Sequence, residues 1–315
     1  MRNSTFCASC RCPTRSALAA VILVFLSGIP GTLWGHTPAD KVVRAFQFAD
    51  DQVPEIDGDL SDWDAVGPAY WITQDDLVDL VQGEEAVRDP DDLAVLVRIG
   101  WNAAANRLYI AARVSDDRHQ VDRPAGSASL LIFQDDDFEV FLDADHSGGQ
   151  YADFSELSPE EQLALNGAEA NHFIMAGPPP DDVFFVNFSA AAWYAQPDGP
   201  FTEAAYAIDG SVGGEAVMHY EIMLAPFARI NMGASFLSTP HVMHENQIMG
   251  FNLEFNDFDA FSDVLDAKWS LSGGQNAFKF SQRFADLLLM PFETGPTAVE
   301  AVSWGLLKNS LRADN

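Results

Sequence analysis

The chain predicts an all-β fold: an antiparallel β-sandwich of jelly-roll or immunoglobulin-like type, with a short inserted helix and a C-terminal helical tail. Three observations carry this expectation. Apolar residues alternate with period two in several segments, turn-forming clusters separate those segments, and the chain is long enough to bury a large core without covalent staples.

The alternating segments follow in order. Leu93, Val95, Val97, Ile99 and Trp101 share one parity, with Arg98 on the other. Leu108, Ile110, Ala112 and Val114 oppose Tyr109 and Arg113. Phe138, Val140 and Leu142 oppose Glu139 and Phe141. Met218, Tyr220, Ile222 and Leu224 oppose His219, Glu221 and Met223, and Phe251, Leu253 and Phe255 oppose Asn252, Glu254 and Asn256. Successive side chains of a strand point to opposite faces, so each segment carries one core row and one outward row. Two segments break the pattern. Residues 75–92 are acidic and read as a surface loop, while Ser158-Pro159-Glu160-Glu161 is a capping box that opens a short helix through about Leu165. The proline run 178–180 marks a rigid loop ahead of the apolar stretch 183–188.

The two ends differ from this domain. Residues 1–35 have the layout of a secretory signal: Arg2, Arg11 and Arg15 precede the apolar run 18–26, and small residues follow. The run is short for a membrane span, so no membrane insertion is expected after cleavage. The expected location is secreted, extracellular, periplasmic or at the cell surface. All three cysteines (Cys7, Cys10 and Cys12) lie in that leader, so the domain 36–291 contains no disulfide. Residues 292–315 read as a linker and tail. Val299, Val302, Leu306 and Leu307 have helical spacing there, which suits docking back on the domain or binding a protein partner.

Charge narrows the partners. With 17 Lys+Arg against 47 Asp+Glu, the net charge is −30. Such a field repels nucleic acid and anionic lipid, and it suits solubility and carboxylate-rich calcium sites.

The motif that orders these observations is Ile56-Asp57-Gly58-Asp59-Leu60-Ser61-Asp62-Trp63. It is followed by segments 99–117, 136–149 (DDFEVFLDADHSGG) and 220–226 (YEIMLAP). Together they resemble family 9 carbohydrate-binding modules and the wider DOMON-like β-sandwiches, over roughly Gln52 to Pro291. The resemblance implies a non-catalytic sugar-binding module stabilised by calcium. Other relatives of that sandwich bind haem and carry electrons, which implies an alternative using Met175, His172, His219, Met223, Met243 and His244. A surface adhesion or structural protein is a further alternative.

Candidate binding residues follow from sugar chemistry. Planar polar side chains form paired hydrogen bonds with vicinal hydroxyls, and aromatic rings cover the apolar face of a pyranose. Arg98, Arg113, Glu139 and Asn252 on the outward rows supply the first. Trp71, Tyr109, Trp193 and Tyr194 supply the second, with Trp71 and Trp193-Tyr194 in loop-like context. Trp63 and Trp101 read instead as core anchors. For calcium, Asp143 and Asp145 stand at alternate positions ahead of a glycine turn, and Asp57 and Asp59 form a second pair. Asn256, Asp257 and Asp259 are a third group. The chain carries no G-x-S-x-G, H-E-x-x-H or phosphate-binding glycine loop, so no catalytic residues are assigned.

Overall fold

Period-two segments become strands where their apolar rows can face a common core. The computed structural model describes residues 41–83, 85–259 and 264–293. Its strands in chain order are β1 (Val42–Gln47), β2 (Ile72–Thr73), β3 (Val78–Asp79), β4 (Leu93–Asn102), β5 (Arg107–Asp116), β6 (Asp137–Asp143), β7 (Asn171–Met175), β8 (Phe185–Ser189), β9 (Thr202–Gly210), β10 (Ala216–Leu224), β11 (Phe227–Arg229), β12 (Thr239–Pro240), β13 (Ile248–Asp257), β14 (Ala267–Ser270) and β15 (Ala285–Leu289). Two short α-helices interrupt them, α1 (Ala128–Leu131) and α2 (Pro159–Leu165). The second is the helix expected from the capping box. Ser158 Oγ accepts from Glu161 N, and Glu161 Oε2 accepts from Ser158 N at 3.1 Å.

All of these strands except β11 and β12, which pair as a separate two-stranded ribbon, form the two layers of a sandwich. One layer runs β9-β10-β5-β4, with β2 and the end of β1 along the outer edge of β4. The other runs β8-β7-β6-β13, with β14 and β15 sharing the far edge of β13 and β3 beside β14. β1 belongs to both layers. Its residues 42–45 lie parallel to Asp286–Leu289 of β15, and Phe46 and Gln47 lie parallel to Gly100 and Trp101 of β4. Every other pairing of the named strands is antiparallel. The all-β expectation therefore holds, with β1 as a parallel exception. Residues 75–92, expected as a loop, contribute the short strand β3.

The rows read from the sequence meet between the layers. Val97, Ile99 and Trp101 pack with Leu108, Ile110, Phe138, Val140, Tyr220, Ile222, Phe251 and Leu253 in one cluster. Fully burying side chains of this size contributes about 1.5–3 kcal/mol each. Trp63 and Trp101 are both fully buried, as their positions predicted. The predicted signal peptide and the helical tail beyond Glu293 fall outside the described residues.

Candidate functional site

The outward row of the β6–β13 layer is not a solvated surface. Register places Ile174, Glu139, Glu254 and Ser270 in one line across β7, β6, β13 and β14. Neighbouring lines carry His172, Phe141 and Asn252, and Asp137, Asn256 and Lys268. Most of these polar groups are buried and must therefore be bonded to one another. Glu139 is the hub. Its Oε1 accepts from Lys268 Nζ at 2.7 Å and Asn256 Nδ2 at 3.0 Å, and its Oε2 contacts His172 Nε2 at 2.5 Å. Lys268 Nζ also lies 2.9 Å from Glu254 Oε2. Glu254 Oε1 accepts from Asn252 Nδ2 and Ser270 Oγ, each at 3.0 Å.

Charge pairing decides the protonation of this network. Burial alone would push the Glu139 carboxyl up, but Lys268 and His172 outweigh it and hold it at about 2. Burial works against the Lys268 ammonium as well, yet Glu139 and Glu254 raise it above its ordinary range. For Asp137 burial and then the Glu139 charge outweigh the opposing pull of Lys268 and Asn256 and push it well up. Three buried atoms here have no hydrogen-bond partner: Asp137 Oδ1, His172 Nδ1 and Asn256 Oδ1.

Above His172, Asn256 and the Glu139–Lys268 pair opens a cavity of about 320 Å³, walled by Phe133, Phe188, Phe278, Ile174 and Leu265. Phe133, Phe188 and Phe278 are each 40% exposed, so their rings frame an opening rather than fill a core. Phe188 meets the His172 ring at 5.0 Å and lies edge-on to Phe278 at 6.5 Å. A second cavity of about 610 Å³ shares Phe188 and Phe278 and extends towards α2. Both are of small-molecule size, and apolar walls over a few fixed polar groups are the usual make-up of such sites.

The eight candidate binding residues do not converge. Glu139 and Asn252 lie on the face just described. Trp71, Arg98 and Arg113 lie on the opposite outer face, on the β4–β5 layer. There the Arg98 guanidinium sits 5.6 Å over the Trp71 ring, and Arg98 and Arg113 line a groove of about 250 Å³ with Asp59, Asp64 and His219. Tyr109 shares that face but is buried edge-on against Phe48. Trp193 and Tyr194, expected in an exposed loop, pack against Phe227, and Tyr194 is fully buried with its hydroxyl donating to Ala225 O at 2.8 Å. The correction has a simple cause. Loop residues between sandwich layers can plug the open end of the core, and a local sequence pattern does not distinguish a plug from an exposed loop.

Glu221, an outward residue of β10, explains the Asp57-Gly58-Asp59 motif. Its carboxylate accepts from Gly58 N at 2.6 Å, Asp57 N at 3.1 Å and Trp63 Nε1 at 2.7 Å. Gly58 has φ +90°, and a Cβ there would sit 2.9 Å from the Tyr206 carbonyl carbon. The motif is a plug fastened to the β4–β5 layer. Asp57 and Asp59 are engaged within it, accepting from Asp59 N at 2.8 Å and Ser61 N at 3.0 Å.

Asp143 is similarly engaged by its own loop, accepting from Ser147 N at 3.2 Å and Gly148 N at 2.8 Å, while Asp145 is exposed. Burial pushes Asp143 up to about 6. A richer oxygen cluster joins the end of β5 to the end of β13. Asp116, Asp257 and Asp259 bring carboxylate oxygens within 4.8 Å of one another, and Asp92, Asp117 and Asp259 do the same. Burial and then the Asp116 and Asp92 charges push Asp257 up to about 8. Asp116 Oδ2 is buried without a hydrogen-bond partner. This donor set of hard oxygens fits calcium. Asp257 and Asp259 belonged to the third group read from the sequence; Asp92, Asp116 and Asp117 did not.

Sequence reasoning also missed Lys268 and the three rim phenylalanines, and it named His172 only as a haem-ligand candidate. The haem candidates are dispersed. Met175 and Met243 lie in the main core, His172 on one outer face and His219 on the other.

Comparison with known proteins agrees with this architecture. A family 9 carbohydrate-binding module from Caldicellulosiruptor kristjanssonii in complex with cellotriose aligns over 82% of this chain and 98% of its own, at 15% identity and TM-score 0.51. The same organism's family 9 module in complex with glucose aligns over 81% and 98%, at 15% identity and TM-score 0.52. The described domain is a β-sandwich with the fold of family 9 carbohydrate-binding modules. No family model and no curated protein matches the sequence.

Proposed function

We propose that this protein is an exported, non-catalytic carbohydrate-binding module that holds a polysaccharide or its end on the outer face of the β6–β13 layer. The observation that carries the reading is the buried polar floor, with His172 Nδ1 and Asn256 Oδ1 unpartnered, beneath three half-exposed phenylalanine rings. Sugar hydroxyls both donate and accept, so they match such a floor, and ring C–H faces match the phenylalanine rim. The shared Phe188–Phe278 wall and the larger cavity beyond it suit more than one sugar unit. The solved modules of this fold carry cellotriose and glucose, which supports the ligand class. Glu139 and Asn252 then act from the floor. Calcium in the Asp92, Asp116, Asp117, Asp257 and Asp259 cluster would neutralise repelling carboxylates and tie strand ends together.

Titration calorimetry with glucose, cellotriose and a panel of soluble polysaccharides, in calcium, tests the reading. Saturable binding that is lost in Phe188→Ala and Phe278→Ala supports it. Silence across the panel sinks it. Binding that survives those changes but is lost in Trp71→Ala or Arg98→Ala moves the site to the opposite groove.

A further inference from the structure

His119 occupies a position that neither the fold nor the sugar site explains. It follows β5 and is 2% exposed, packed beside Asp116 and Asp136, which are 4% and 5% exposed. Its Nδ1 lies 3.8 Å from Asp116 Oδ2 and 3.6 Å from Asp136 Oδ2. Its other nitrogen, Nε2, is 2.6 Å from Gly177 O. A carbonyl oxygen can only accept, so Nε2 carries the proton of that bond. In a neutral ring the Nδ1 lone pair then points at two carboxylates. Three electron-rich atoms converge, and a cation is what such a convergence accommodates.

The surroundings support the same reading. Asp116 Oδ2 is buried and has no hydrogen-bond partner. Backbone donors orient both carboxylates: Asp116 Oδ1 accepts from Arg118 N at 2.7 Å, Asp136 Oδ1 accepts from Phe258 N at 2.7 Å, and Asp136 Oδ2, itself one of the converging atoms, accepts from Gln120 N. A histidine that donates its second N–H to a backbone carbonyl, beside carboxylates held by outer hydrogen bonds, is the usual support of a metal centre. A small cavity of about 10 Å³ adjoins Asp116, His119, Asp136 and Asp137. A metal with bonds of about 2.0–2.2 Å to nitrogen and oxygen sets tetrahedral ligand atoms about 3.3–3.6 Å apart, at or just inside the two nitrogen–oxygen separations of 3.6 and 3.8 Å, while the Asp116 and Asp136 oxygens lie within 4.8 Å of each other.

We propose that Asp116, His119 and Asp136 form a buried site for one first-row divalent ion of the Zn²⁺ type. One imidazole nitrogen and two carboxylates suit such an ion, whereas an all-oxygen cage suits calcium. The site is separate from the sugar cavity and does not depend on that reading. It shares Asp116 with the carboxylate cluster, whose exposed members Asp92 and Asp117 offer a path for entry. Its role is structural. His119 N donates to Gly214 O at 3.0 Å and His119 O accepts from Gly213 N at 2.6 Å, which ties the residue to the β9–β10 turn. Asp136 leads into β6 of the other layer. The ion therefore clamps the two layers at one end of the sandwich.

The test uses the full chain, stripped with chelator and returned to excess calcium so that the oxygen cluster is satisfied. Zn²⁺ is then titrated by calorimetry, and ¹⁵N spectra of the histidine rings are recorded before and after. One equivalent of Zn²⁺ is expected, with the His119 Nδ1 resonance moving to a metal-bound position. His119→Asn is expected to weaken binding by at least about 100-fold, the upper end of what loss of an outer partner alone causes. Unchanged Zn²⁺ affinity in that variant overturns the assignment, as does displacement of Zn²⁺ by calcium. If the variant does not fold, the wild-type spectrum decides. A His119 ring that Zn²⁺ leaves unmoved, or one doubly protonated without metal and binding none, overturns it.

Discussion

Replacing Glu221 with alanine should unfasten the Asp57-Gly58-Asp59 plug from the β4–β5 layer. Three donors lose their acceptor: Gly58 N, Asp57 N and Trp63 Nε1. A buried donor left unsatisfied costs about 1–3 kcal/mol. Asp57 N lies near the surface and can turn to water, so the gross loss comes mainly from Gly58 N and the Trp63 indole. Against this, burial raises the Glu221 carboxyl above its ordinary value, so ionised wild-type protein already bears a desolvation cost that the variant escapes. The net loss should be about 3 kcal/mol, or about 6–12 °C in melting temperature for a domain of this size. Glu221→Gln should fall between, because its single carbonyl oxygen cannot serve all three donors and its amide hydrogens meet the others head-on. Urea denaturation of wild type and both variants, at unchanged slope, measures this. A loss below about 1 kcal/mol for Glu221→Ala would refute the account of the motif as a buried anchor.

Further outcomes can be checked alongside. Gly58→Ala should destabilise by about 2 kcal/mol or more, because its Cβ meets the Tyr206 backbone and φ is positive; a wild-type melt would contradict the close approach. Calcium at a hundredfold excess over its Kd should add about 2.7 kcal/mol of stability relative to chelated protein, and Asp257→Asn should abolish that gain. Identical melts with and without chelator would rule it out. Glu139 is held at about 2 in the fold against 4.5 ordinarily, so its contribution is complete above pH 4.5 and is lost as pH falls towards 2. Melting curves from about pH 5 to about pH 3 should therefore fall less steeply for Glu139→Gln than for wild type.

Some of this molecule was legible in its sequence for a specific physical reason. Parity is local, so the core rows of β4, β5, β6, β10 and β13 could be assigned residue by residue, and Trp101 with them. The Ser158–Glu161 capping box is equally local and placed α2. What parity leaves open is which layer a strand joins. Arg98, Arg113 and Glu221 went to one layer, and Glu139, Asn252 and Glu254 to the other, so one apparent polar face became two. The covering of the β6–β13 face was hidden as well. Phe188 and Phe278 come from distant segments, and nothing near either residue announces their meeting. The carboxylate cluster shows the same limit: its adjacent Asp116-Asp117 pair was visible, but its approach to Asp257 and Asp259 depends on tertiary pairing.

The dual membership of β1 also bears on how the chain becomes a protein. Its first half lies beside β15, almost at the far end of the described domain, and its second half lies beside β4. Closing the long loop between β1 and β15 carries its entropy cost before the two layers can be joined through β1. During synthesis β15 emerges last of the described strands. Until then the edges of β1 and β13 that face β15 are unpaired, and they are the surfaces by which a half-made chain would stick to its neighbours.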